Sequence, residues 1–294
     1  MIINKHGSFY IRNGWPTKIL NSVQIDDHIF SPNREINAVD KLGVGRVMVK
    51  SMRYWAQALG LCDEKHDQQG VVSTLTKLGT IISKTDLYFE FNDTLWLLHR
   101  NLSRNIDNAT AWYWAFNIYN KNVFTKKDFV DSFYAYLINN GLSYEKKNIN
   151  KEFDCFKNTY ISTENFDIKK IINEDTTPFF APLHLISYAD NNTFVLNSPR
   201  AKDISIEIFI YCLFKDNEQH FNNNKQLSIE FLLEEPGQVG KYMNLTFSSI
   251  LELLQKAENK GYLTLFNNFG NRYIEINDID FNNLLVSYFN HLGE

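Results

Sequence analysis

Twice along the chain, helical stretches lead into a pair of short alternating strands, and this order constrains the fold more than any other feature. Near the C-terminus, "TFSSILELLQKAENKG" offers Thr246 as a helix cap, apolar Ile250, Leu251 and Leu254, and Gly261 as a stop. "YLTLFNNFGNRYIEI" then alternates on either side of Asn268-Phe269-Gly270-Asn271, a hairpin signal. Before these, "SIEIFIYCLFK" and "SIEFLLEEPG" read as helices, the second ended by Pro236-Gly237. The opening segment has the same order. "PTKILNSVQ" starts a helix with Pro16 in its first turn. "SPNREINAVDKLG" is a second helix, entered through Ser31-Pro32 and closed at Gly43, and a third runs from Gly45 to Gly60. "VVSTLTKLGTIISK" follows as a short ribbon and a helix start. The two segments show little self-similarity, so no repeat is inferred.

Between them the chain reads as mostly helical. "NDTLWLLHRNLS" has Asn92 or Asp93 as a cap, and "TKKDFVDSFYAYLINNG" has Thr125 as a cap, Asp128 in its first turn and Gly141 at its end. "TAWYWAFNIYN" and "NINKEFDCFKNTYIS" are further helices, while "TTPFFAPLHLI" reads as an extended connector. The expected fold is mainly α with short β wings. N- and C-terminal winged helix-turn-helix units (residues 1–91 and 198–294) would flank a helical middle region (92–197).

The chemistry-bearing stretch is "KLGVGRVMVKSMRYW", Lys41 to Trp55, with four cations and no acid in a protein of net charge −4. At about 100° per residue, Val49, Met52, Ala56 and Leu59 form a core stripe. Arg46, Lys50, Arg53 and Gln57 lie about 110° round from it. Val47, Ser51 and Tyr54 fall beyond them on the side expected to be exposed. Gly43 suits the positive φ that ends a helix, Val44 plugs the gap between helices, and Gly45 leaves the front of the next helix open, where free amides favour phosphate. Such a helix can enter a major groove with its N-terminal residues at base edges. Lys41, Gly45, Arg46, Val47, Lys50, Ser51, Arg53 and Tyr54 are therefore the candidate contacts to double-stranded DNA. The alternative is a helix-turn-helix used for protein contacts. The second unit's helix carries Ser248, Ser249, Glu252, Gln255, Lys256 and Glu258, a mixed set that fits protein contact or dimerisation at least as well. Its best phosphate-contact residue is Arg272, at the wing.

Other residue types point to structure. Trp112, Phe116 and Tyr119 share one helix face, as core residues do, although aromatic rings can also stack bases. His99 beside "TLWLL" reads as a hydrogen-bonded structural histidine. Cys62, Cys155 and Cys212 are odd in number and widely spaced, so buried free thiols are expected rather than a zinc clip or a disulfide framework. Cys155 has no activating base nearby in sequence. No HxxxE, HxH, GxSxG or GK[ST] signature occurs, so neither catalytic residues, a metal nor a cofactor is expected. A protein that holds DNA by bulk charge is basic, so any DNA contact here must come from local patches or a charged partner. No stretch reaches the ~18 apolar residues of a membrane span, and "MIINKHGSFYIRNGW" lacks a signal-peptide core, so a cytoplasmic protein without membrane contact is the expectation.

"FYIRNGWPTK", "LGVGRVMVKSMRYW", "TLWLLH", "TAWYWAFN", "FDCFKNTY" and "PLHLI", in this order, resemble an uncharacterised prokaryotic family, domain of unknown function number four thousand and seven. The resemblance covers nearly the whole chain. "LGVG…MV…RYW" is its most specific part, supported by Phe9 and Arg12-Asn13-Gly14-Trp15. Members often lie in anti-phage gene islands, beside sulfur-transfer proteins of DNA phosphorothioate modification. The resemblance implies a DNA-handling accessory of that machinery, with protein partners in a modification or defence complex, and no established catalytic residues. A transcriptional regulator of the same locus and a protein-interaction scaffold for the sulfur-transfer complex are the alternatives. The DNA site, the partner and the oligomeric state are not encoded in any motif.

Overall fold

A computed structural model describes residues 1–161, 177–223, 226–268 and 271–292. It shows an α-rich chain with small antiparallel sheets. The first run comprises α1 (Trp15–Ile25), α2 (Glu35–Leu42), α3 (Arg46–Ala58), β1 (Cys62–Asp67), β2 (Gly70–Leu75) and α4 (Lys77–Thr85). Pro16 stands in the first turn of α1. Gly43 closes α2 at φ 65, its N–H donating to the Val39 carbonyl, and Gly45 stands at the N-cap of α3. The tight link between α2 and α3 therefore follows from the glycine pair, because positive φ is costly for residues with a Cβ. β1 and β2 form a hairpin whose far edge meets the chain ahead of α2: Ser73 N–H donates to the Asp27 carbonyl at 2.7 Å. Gly79 of α4 lies so near the Leu61 carbonyl that an added Cβ would sit 2.2 Å from it.

The middle run comprises α5 (Asn92–Arg104), α6 (Thr110–Asn117), β3 (Val123–Thr125), α7 (Lys126–Asn139), α8 (Lys146–Tyr160), β4 (Ile186–Asp190) and β5 (Thr193–Leu196). Expected as helical, it also holds a three-stranded sheet in the order β3-β5-β4. A strand of three to five residues offers too few positions for a period to be read, and Thr125 serves two elements at once. It ends β3 and caps α7, with a reciprocal capping box to Asp128. The expected connector "TTPFFAPLHLI" contains a 3₁₀ turn, Ala181–Leu183, and runs into β4; Thr176 lies outside the described residues, as does Ser162 of the preceding stretch. Asn92 and Asp93 do not cap α5. They lie within its first turn, and Asp86 instead accepts from the Glu90 and Phe91 amides and from Thr94 Oγ1.

The last run comprises α9 (Ile206–Asn223), β6 (Gln226–Ser228), α10 (Ile229–Glu234), α11 (Val239–Tyr242), α12 (Phe247–Asn259), β7 (Leu263–Asn268), β8 (Asn271–Ile276) and α13 (Phe281–Leu292). Its sheet order is β6-β8-β7, and Thr246 caps α12 as expected. Phe269 and Gly270 of the hairpin tip lie outside the described residues. The middle and last runs follow one path: helix, three-residue strand, helices, antiparallel hairpin, with the first strand beside the last. In both, the final residue of the first strand (Thr125, Ser228) caps the next helix through its hydroxyl, and the central residue (Phe124, Leu227) is buried. That correspondence is one of chain path.

One cluster of buried apolar side chains draws on all three runs. Buried polar contacts also cross between them. His6 Nε2 and the Asn4 amide meet Glu152 Oε2 of α8 at 2.9 and 2.7 Å, with His6 and Glu152 fully buried. His99 of α5 meets Tyr160 Oη at 2.9 Å and the Tyr242 carbonyl at 2.7 Å, and burial lowers its pKa to about 4. Asp216 of α9 accepts from Arg100 Nε of α5 and from Tyr242 Oη, and forms an ion pair with Arg104 of α5, each at 2.7 Å.

Candidate nucleic-acid interface

The core stripe of α3 is where the 3.6-residue period puts it: Val49, Met52, Ala56 and Leu59 are buried, with Val44 beneath the turn. A Cβ added at Gly45 would meet nothing within 4 Å, so the front of the helix is open. Arg46 and Lys50 project there, their side chains 66% and 74% exposed, and Val47 is 56% exposed. These three exposed residues, two cations and one apolar group, lie within about 100° of the helix circumference.

Ser51 and Tyr54, expected on the exposed side, are buried. The reason is a second covering layer. Residues 6–9 and Asn108 lie across that side of α3. The Phe9 carbonyl accepts from Trp55 Nε1 at 3.0 Å and from Ser51 Oγ at 3.4 Å, and Tyr54 Oη donates to the Asn108 carbonyl at 3.0 Å. Burial raises the Tyr54 pKa well above its ordinary value, helped by the nearby Glu152 and Cys155. Seven of the thirteen α3 residues are buried, and they occupy about 220° of the helix circumference. What remains is an arc of about 140° carrying Arg46, Lys50, Arg53 and Gln57, with Val47 exposed at the edge of the buried side.

The undiluted basic run is also diluted in space. Lys41 Nζ lies 2.9 Å from Asp26. Lys50 Nζ and Arg46 Nε lie 3.2 and 3.9 Å from the two carboxylate oxygens of Glu35. Arg53, expected to be substantially exposed, is 29% exposed and donates two 2.7 Å hydrogen bonds to Glu64, which raises its pKa further. A bidentate guanidinium–carboxylate pair has the geometry that a base or phosphate contact would need, so Arg53 is already engaged. Glu35, Glu64 and Asp26 were invisible as partners in the sequence, because they stand 11 or 15 residues from the cations they meet. Glu35 also lines an open cleft of about 570 Å³ with Asn33, Ile36, Asn37, Asp40 and Arg46.

At the other end, Arg272 of β8 lies over the exposed ring of Phe247, the first residue of α12, at 5.3 Å. The strand is thereby tied to the helix by a cation–π contact. On α12 itself Lys256 pairs with Glu252 at 2.7 Å.

The residues set aside as structural are so placed. Trp112 and Phe116 are buried on α6, whereas Tyr119 lies two residues past its end and is half-buried, and the three cysteines are buried free thiols. Burial raises Cys155 well above its ordinary pKa, the reverse of an activated thiolate. Asp26, Asp27 and His28 bring ligand atoms within 4.8 Å of one another, but Arg34 and Lys41 hold Asp26, and His28 bridges Asp27 and Asp67 at 2.6 and 3.1 Å.

The fold and this face define an α-rich chain of small sheets with a cationic strip at an open helix front. The chain belongs to the family described as "Protein of unknown function (DUF4007)", which it matches over residues 3–289. Two solved structures share its fold. The magnesium ion-bound SspB crystal structure superposes with a TM-score of 0.83 at 23% identity, covering 99% of this chain and 88% of that one. A second SspB crystal structure gives 0.82 at 22% identity with the same coverage. No curated protein matches the chain in sequence. Among the described residues no helix is long and apolar enough to cross a membrane.

Proposed function

We propose that the protein is a DNA-binding accessory of a prokaryotic DNA-modification system of the phosphorothioation type, or of an anti-phage defence system, and that it docks on duplex DNA through α3. The observation that carries this reading is the exposed set Arg46, Val47 and Lys50 at the open front of a helix that follows a Gly43-Val44-Gly45 turn. We read α1–α3 with β1–β2, and α9–α12 with β7–β8, as winged helix-turn-helix units. Family membership and the SspB-like fold support a place beside a modification complex. The role is binding, with no catalytic step. One SspB structure holds magnesium, but in this chain the Asp26–Asp27–His28 group is occupied by internal pairs and does not fit that ion as it stands.

Ser51, Arg53 and Tyr54 leave the contact set, which reduces the expected phosphate contacts from α3 to Arg46 and Lys50. Replacing both by alanine should flatten the slope of log K against log salt by about 1.8, at ~0.9 per contact. Binding is measured for the full chain with its co-purifying partners at several salt concentrations. Equal affinity and equal slope would remove DNA from the reading. One observation favours the scaffold as the second reading: Lys41, Arg46, Lys50 and Arg53 all have an acid partner within the chain. Under that reading the double variant loses partner proteins in a pull-down and leaves DNA binding unchanged.

A further inference from the structure

We infer that Glu35 sets the strength and selectivity of the α3 face by competing with DNA phosphate for Arg46 and Lys50. This rests on the DNA-docking reading above.

Glu35 is the first residue of α2, and its side chain is 25% exposed. One carboxylate oxygen lies 3.2 Å from Lys50 Nζ and the other 3.9 Å from Arg46 Nε. The two most exposed cations of the strip thus share one acid. Arg34 beside it points elsewhere, to Asp26 at 3.0 Å, so the cations facing Glu35 are those of α3. A carboxylate in the first helical turn is held by the helix dipole as well as by these pairs. The Gly43–Gly45 turn fixes α2 against α3 and keeps the acid in register with both cations.

A phosphate approaching Arg46 and Lys50 must draw them from Glu35, and then faces that carboxylate. The site therefore resists a bare polyanion and yields only where other contacts add to the attraction. Such a device fits a chain of net charge −4, which has no bulk positive charge with which to hold DNA. Exposed pairs are weak, so the restraint is moderate and reversible.

The test is Glu35→Gln, which keeps an oxygen acceptor and removes the charge. Binding to a duplex of mixed sequence is compared for wild type, Glu35→Gln, Arg46→Ala/Lys50→Ala and the triple variant, with thermal unfolding as the folding control. Glu35→Gln should tighten binding about two- to tenfold, the range that one or two exposed ion pairs supply. The gain should shrink as salt screens the pair, and it should vanish in the background lacking both cations. Unchanged or weaker binding by Glu35→Gln, while the double alanine variant still weakens binding, overturns this inference and leaves the DNA reading standing. A gain that persists without Arg46 and Lys50 also overturns it. If the double alanine variant binds like wild type, the underlying reading fails instead.

Discussion

Glu35 and Asp216 each stand between two cations, but the first is on the surface and the second is fully buried. Glu35 meets its partners at 3.2 and 3.9 Å beside solvent. Asp216 is held at 2.7 Å by Arg100 and Arg104, and by Tyr242 Oη at the same distance. In water a cation can exchange one partner for another at little cost, so the Glu35 cluster can change hands. Around the fully buried Asp216 carboxylate no water replaces a lost partner, even though Arg104 reaches solvent, so the cluster fixes α5 against α9 and the neighbouring Tyr242. The same three-charge motif is an adjustable contact in one place and a structural joint in the other.

The largest expected effect comes from breaking the buried cluster. Asp216→Ala leaves Arg100 and Arg104 without their shared carboxylate and should cost about 3–5 kcal/mol in denaturant unfolding. Glu35→Ala in the same assay should change stability by no more than ~1 kcal/mol. Similar losses for the two would erase the contrast.

Acidification should produce a slightly smaller effect. Burial lowers His99 to a pKa of about 4, below the unfolded value of about 6.5. Between these values the unfolded chain binds more protons, so stability is fully present above about 6.5 and is lost as the pH falls toward 4. The integrated loss from this residue is at most about 3 kcal/mol. A His99→Gln variant should show a flatter stability curve across that window. An unchanged slope would show that His99 does not carry it.

Smaller still is the separation of α3 into two faces. Tyr54→Phe removes the hydrogen bond to the Asn108 carbonyl and should cost about 0.5–1.5 kcal/mol without altering DNA affinity. Arg46→Ala with Lys50→Ala should do the reverse, shifting stability by only ~0.5 kcal/mol while changing the salt dependence of binding. A DNA defect in Tyr54→Phe would mean that the covering layer of residues 6–9 opens when DNA binds.

Much of this was legible in the residues. The Gly43–Gly45 turn, the Val49–Met52–Ala56–Leu59 stripe, and the Thr125 and Thr246 caps are set by φ preferences, helical period and nearby hydroxyls, which act within a few residues of chain. So are the open front of α3 and the exposure of Arg46 and Lys50. The β3-β5-β4 sheet was not legible, because each strand is too short to show a period and β3 joins the β4-β5 hairpin from a distant segment. The burial of Ser51 and Tyr54 depends on Phe9 and Asn108, 42 and 54 residues away. The acids beside α3 are supplied by other elements in the same manner. Local sequence determined which side of α3 faces its own core and how the helix begins. Only the tertiary path decided which of its remaining sides meets water and which of its cations is left exchangeable, because both depend on segments that approach in space without any periodic trace along the chain.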